Sequence, residues 1–152
     1  MTTLPDRVRG RFALIADAAR MDVDAVHRYL AEESYWAKGI PREIVARAIE
    51  HSLCFGVFED AQQVAFARVI TDRATYAYLC DVYVLDGYRG AGLATWMLET
   101  IDAHPDVQGL RRWGLVTRDA HPLYLKHGWV RPPNPDGYLE RRAPDLYTKG
   151  RG

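Results

Sequence analysis

The sequence predicts a single mixed α/β domain, and three observations carry that prediction. The chain has 152 residues, enough for one compact domain and too few for two substantial ones. Its apolar residues recur at helical spacing before residue 53 and then as short β-branched and aromatic runs through residue 85. Beyond them a glycine-rich turn opens an amphipathic helix, and strand, helix and strand signals follow.

Taken in order, Phe12 to Ala16 (FALIA) is too short for its period to separate strand from helix, and we read it as a strand. From Asp22, the residues Val23, Val26, Tyr29 and Leu30 share one helical face, with Asp22 or Asp24 as the cap, giving a helix to about Glu33. Gly39 interrupts that pattern, and Pro41 is placed to open a second helix carrying Ile44, Val45, Ala48 and Ile49. Leu53 to Glu59, Val64 to Thr71 and Tyr76 to Leu85 then form an antiparallel meander, separated by segments short enough for hairpins. Gly92 to Ala103 places Leu93, Trp96, Met97 and Ile101 on one helical stripe, closed by His104-Pro105. Trp113 to Val116 reads as a strand, Pro122 to His127 as a short helix ended by Gly128, and Tyr138 to Arg142 as a last strand.

Composition narrows the function. A chain of this length buries about 68–70% of its unfolded surface, so a core needs neither metal nor disulfide. Twenty basic residues balance twenty acidic ones, a field that favours neither nucleic acid nor an anionic membrane. Cys54 and Cys80 lie inside apolar runs without zinc or redox spacing and read as reduced core thiols. No apolar stretch reaches membrane-spanning length and Met1 to Phe12 is too charged for a signal peptide, so a cytoplasmic protein is expected. His27, His51, His104, His121 and His127 share no ligand spacing, and no metal is expected.

The segment richest in chemistry is Val82 to Thr95 (VYVLDGYRGAGLAT), a strand feeding a glycine-rich turn that opens a helix. Glycines admit a close backbone approach and the first helical turn points free N–H groups outward, so the turn suits a phosphate. A Rossmann fingerprint needs Gly or Ala where Thr95 stands, and a Walker loop needs Lys where Leu93 stands. Arg89-Gly90-Ala91-Gly92-Leu93-Ala94 instead resembles the acetyl-CoA signature of the GCN5-related N-acetyltransferase (GNAT) family. The likeness extends through the element order to Leu123-Tyr124-Leu125-Lys126-His127-Gly128-Trp129, which resembles the family's second motif, and covers at least residues 53 to 130.

The resemblance implies a mostly antiparallel mixed sheet with helices on both faces, residues 1 to 152 forming one N-acetyltransferase domain. Acetyl-CoA is the implied co-substrate. Val82, Tyr83 and Val84 would offer backbone groups to its pantetheine arm, and Arg89, Gly90, Ala91, Gly92, Leu93, Ala94 and Thr95 would hold its pyrophosphate, with Thr117 and Lys126 at the cofactor as well. Thr117 stands where many members carry Asn. Asp119, just before the short helix, reads as its N-cap.

Tyr124 is the implied general acid, hydrogen-bonding or protonating the leaving thiolate, and its alternative is simple packing of the helix on the sheet. The base is less defined. Strand alternation places Tyr78, Cys80 and Val82 on one face and Leu79, Asp81 and Tyr83 on the other. The resemblance puts a base at Cys80 or Tyr78. Asp81 is the one charge in an apolar run and needs a partner, a raised pKa or a bulge turning it to water, and a water chain is an equal route for the proton. For the acceptor, the resemblance points to the loop carrying Ser34, Tyr35 and Trp36 and to Arg131 to Gly137. Tyr35 and Trp36 line a pocket or cap the core; Arg68 and Asp72 recognise an amino acid's charges or are solvated. The expected partner is a small-molecule amine or amino acid as substrate, and the expected oligomeric state is a monomer or homodimer. The alternatives are a protein or peptide acceptor, and a non-catalytic acetyl-CoA sensor.

Overall fold

A computed structural model describes residues 3–148. Six strands form one sheet in chain order: β1 (Arg7–Arg9), β2 (Phe12–Ile15), β3 (Leu53–Glu59), β4 (Gln62–Thr71), β5 (Tyr76–Val84) and β6 (Arg112–Leu115). The first five are antiparallel to their neighbours, whereas β6 runs parallel to β5. The helices are α1 (Val23–Arg28), α2 (Arg42–Glu50), α3 (Leu93–Asp102) and α4 (His121–Lys126). This is the mixed α/β architecture expected, with the meander and α3 within a residue or two of their predicted bounds.

Alternation along the strands feeds a core on each face of the sheet. On one face the α3 side chains Leu93, Trp96, Met97 and Ile101 pack on Phe55, Val57, Ala67, Val69, Ala77 and Leu79. On the other, Val26, Tyr29 and Leu30 join the α2 residues Val45 and Ile49 over Cys54, Phe58, Phe66 and Tyr83. Burying an apolar side chain fully contributes about 1.5–3 kcal/mol, so these two layers supply most of the cohesion.

Several expectations need correction. The first helix reaches Glu33 as expected but changes form on the way: α1 ends at Arg28, and Tyr29–Glu33 continues as a π-helical turn closed by Ser34 N–H donating to the Tyr29 carbonyl at 3.0 Å. Its start is as read, with the Asp22 carboxylate accepting from Ala25 N–H. β1, with three exposed residues, has no apolar face for a sequence pattern to show. The predicted strand over Tyr138–Arg142 does not form. Tyr138 is 63% exposed and Leu139 90%, and the alternate residues of this segment include Glu140, Arg141 and Arg142, so pairing would bury no apolar face.

The alternation drawn for β5 is also corrected. Arg68 pairs with Cys80 but Phe66 with Tyr83, so β5 carries one extra residue against β4. That bulge lies at Asp81, whose φ is 54°. Before it, Ala77 and Leu79 face α3; after it, Val82 does, and Tyr83 turns toward α1. Asp81 is thereby left on the face of Arg68, and Arg68 Nε donates to its Oδ2 at 2.8 Å, with side chains only 16% and 10% exposed. Arg68 is therefore not a solvated charge. Nor does Asp72 await a ligand, since its carboxylate accepts from Ala74, Thr75 and Tyr76 N–H and shapes the β4–β5 turn.

Removing one partner of a buried pair leaves an uncompensated charge, so Arg68→Met should lower the unfolding free energy by about 3–5 kcal/mol in urea titrations. The double change Arg68→Met, Asp81→Leu should restore more than half of that loss; equal losses in both would show that the ion pair is not the cause.

Candidate active site

β5 and β6 pair only between Tyr76–Leu79 and Arg112–Leu115. Beyond Leu79 and Leu115 the strands part, and the cleft between them carries Cys80 to Val84 on one side and Val116 and Thr117 on the other. The bulge at Asp81 stands at the point of divergence.

At the far end of β5 the chain enters the glycine-rich turn. Gly87, Gly90 and Gly92 have φ of 69°, 85° and 76°, values that side chains adopt with strain. Gly92 is the N-cap of α3, open space lies where its Cβ would stand, and the first turn of the helix carries no acidic residue. A depression of about 240 Å³ sits here, lined by Val84, Tyr88, Arg89, Gly92, Leu93 and Thr95. Orphan N–H groups of a helix start, open glycines and an adjacent guanidinium together fit a pyrophosphate. The exposed Arg89 donates through Nε to the Val84 carbonyl at 3.1 Å, tying the turn to the strand end.

α4 carries Tyr124, 8% exposed and packed in the same apolar core as α3. His127 and Trp129 N–H both donate to the Tyr124 carbonyl, which ends the helix there, and the Trp129 ring meets the Tyr124 ring edge-on at 6.1 Å. Burial pushes the Tyr124 hydroxyl up to about 12, so it is a protonated donor. The expected cap of this helix is corrected: Ala120 N–H donates to Thr117 Oγ1 at 3.0 Å, and Asp119 plays no part in it. Lys126 lies exposed in the last turn.

A chain of contacts joins residues far apart in sequence. Arg118 N–H donates to the Tyr35 hydroxyl at 3.1 Å, with the Arg118 guanidinium 3.7 Å from the Tyr35 ring centre. The Tyr35 and Trp36 rings meet edge to face at 5.1 Å. Trp36 Nε1 donates to Asp81 Oδ1 at 2.9 Å, and Arg68, bound to Asp81 Oδ2, also donates to Ser52 Oγ at 3.1 Å. Tyr35 and Trp36 remain 47% and 41% exposed, so they are a rim and not a cap on the core. Tyr78 is half-buried, its hydroxyl held above the usual range by burial, with Cys80, Tyr138 and Asp81 around it. Both thiols are pushed up to about 12 by burial, which removes Cys80 as a thiolate nucleophile.

Sequence reasoning named Trp36, Arg68 and Asp81 separately and missed their joining. It also missed Ser52 and Arg118. The usable signal was Asp81, whose solitary charge demanded a partner. Among the described residues no group of three or more His, Cys, Asp or Glu is placed to hold a metal, and no helix is long and apolar enough to cross a membrane.

Residues 50–131 match the family model of the acetyltransferase (GNAT) domain. A candidate GNAT acetyltransferase of Xanthomonas campestris pv. campestris is 49% identical, and its crystal structure superposes with a TM-score of 0.88 over 90% of this chain and 96% of that one. A Gibberella zeae protein named as a candidate acetyltransferase is 32% identical over 113 residues, 62% of this chain and 64% of that protein, so the match spans less than two thirds of the fungal relative. A Clostridium acetobutylicum structure solved with acetyl-CoA shares the fold at 21% identity, with a TM-score of 0.63 over 86% of this chain and 94% of that one. The parted strands, the open glycine turn before α3 and these likenesses agree, and the chain belongs to the GNAT family of acetyltransferases.

Proposed function

We propose that this protein is an acetyl-CoA-dependent N-acetyltransferase that passes acetyl directly to the primary amine of a small molecule or amino acid. The observation carrying the reading is the cleft between β5 and β6, with an anion-fitting turn at one end and a buried carboxylate where the strands part, together with the protonated tyrosine of α4. Bound acetyl-CoA supplies a thioester, whose carbonyl carbon takes a new bond to nitrogen while its bond to sulfur breaks.

In this reading Arg89 to Thr95 hold the pyrophosphate, the backbone of Val82 to Val84 aligns the pantetheine arm, and Thr117 and Lys126 flank it. Tyr124 then gives its hydroxyl proton to the departing sulfur, a contribution of about 10²–10⁴-fold in rate. Asp81 keeps unused lone pairs on both oxygens despite its two partners, so it can attract the acceptor ammonium and pass its proton to water. Tyr35, Trp36 and Tyr78 form the acceptor rim, where aromatic faces suit a cation. Arg68 acts through Asp81, holding its carboxylate in place.

The deciding experiment is CoA-thiol release from acetyl-CoA across free amino acids, polyamines, arylalkylamines and short peptides. Release that depends on a free amine supports the reading. Release only with peptides favours a protein acceptor, and silence with cofactor binding intact favours a sensor. Tyr124→Phe should lower kcat by about 10²–10⁴-fold while the Kd for acetyl-CoA changes little, as calorimetry would show. With the Tyr124 hydroxyl pushed up to about 12, the alkaline side of the wild-type rate profile should show loss from this group only within about one pH unit of that value and above it. Gly92→Glu places a charge and a strained side chain at the turn and should abolish acetyl-CoA binding; unchanged affinity would move the cofactor elsewhere.

A further inference from the structure

A second cavity, of about 250 Å³, opens at the C-terminal end of β5 on the face that carries α1. It shares no lining residue with the glycine-rich depression, and none of Trp36, Arg68 or Asp81 lines it. Its floor is a pair of tyrosines, Tyr29 and Tyr83, with rings stacked at 3.8 Å and 8° from parallel. Tyr83 is only 4% exposed, and neither hydroxyl has a hydrogen-bond partner among the described residues. No fully enclosed side-chain polar atom in the described chain lacks a partner, so these hydroxyls open into the cavity. Burial holds the Tyr83 hydroxyl above its ordinary range, a neutral donor.

The walls carry opposite charges that are not paired with each other. Arg28 and Glu33 both line the cavity from its exposed rim, and neither makes an ion pair or a side-chain hydrogen bond among the described residues. Five positions separate them. They reach one cavity because Tyr29–Glu33 is a π-helical turn, a form that occupies well under 1% of residues and is frequent at functional sites. Gln62 adds a neutral amide at the rim, and Asp22 lines the cavity with one oxygen already given to Ala25 N–H.

We propose that this cavity is a binding site for a small zwitterion of the α-amino acid type, with its carboxylate on Arg28, its ammonium on Glu33 and its body over the Tyr29–Tyr83 pair. A zwitterion meets both charges at once, where a simple amine or a simple acid would meet only one and leave the other to water. The site is separate from the acceptor cleft and does not depend on the reaction assigned to that cleft.

The test is isothermal titration calorimetry of the whole protein with free α-amino acids, and with their decarboxylated amines and N-acetyl derivatives as probes lacking one charge. At least one amino acid should bind, and its affinity should fall about tenfold or more in Arg28→Gln and in Glu33→Gln. The decarboxylated amine should not respond to Arg28→Gln. Tyr83→Phe, which removes only the hydroxyl, should weaken binding by a smaller factor, and acetyl-CoA binding by each variant serves as the check on folding. The proposal is overturned if no amino acid binds or if binding survives either charge substitution. Loss of binding in Asp81→Asn with retention in Arg28→Gln would overturn it too, by placing the amino acid in the acceptor cleft.

Discussion

The additional residue that β5 carries against β4 sets the geometry on which both sides of the cleft depend. Had the strands stayed in register, Asp81 would point into the apolar layer beneath α3, where an unpaired carboxylate is untenable. With the bulge, Asp81 stays on the face of Arg68, Val82 moves to the α3 face and Tyr83 faces α1. A non-glycine residue at φ 54° costs of order 1–3 kcal/mol and persists only where its surroundings hold it. Arg68 and Trp36 hold it, one at each carboxylate oxygen.

The same bulge stands where β5 leaves β6. Parallel pairing stops at Leu79 and Leu115, and the strand end that follows runs to the glycine turn with its edge free of a neighbour. A sheet that closed here would satisfy those backbone groups internally and leave nothing for a ligand to pair with. The cleft is thus made by a failure of pairing, while the antiparallel meander behind it and the two apolar layers keep the rest of the sheet rigid.

Loops then bring in the residues that the sheet lacks. The π-helical turn after α1 ends at Ser34, whose hydroxyl donates to the Leu30 carbonyl and accepts from Ala37 N–H. That clamp presents Tyr35 and Trp36 outward, where one meets the β6–α4 loop through Arg118 and the other meets the bulge. Two elements that do not touch in sequence, the α1–α2 loop and the β6–α4 loop, are joined across the mouth of the cleft through a single aromatic ring.

By itself the sequence determined whatever depends on neighbours along the chain. The meander followed from β-branched and aromatic runs, α3 from the spacing of Leu93, Trp96, Met97 and Ile101, and the anion-fitting turn from its glycines. Tyr124 was reached through a motif of seven consecutive residues. Tertiary structure decided what depends on partners across space. Strand periodicity shows no bulge, because an extra residue only shifts the pattern by one, so the faces of Val82 and Asp81 were misassigned. The cap of α4 was likewise settled by loop geometry: Ala120 is its N-cap without a side-chain cap bond, Thr117 Oγ1 accepts the Ala120 N–H, and Asp119 takes no part. The π-helical turn differs from an α-helix by one residue per turn over five residues, too little for a pattern to register. Tyr138–Arg142 had the composition of a strand but no apolar face to bury, and only an apolar face or a pairing edge makes a strand.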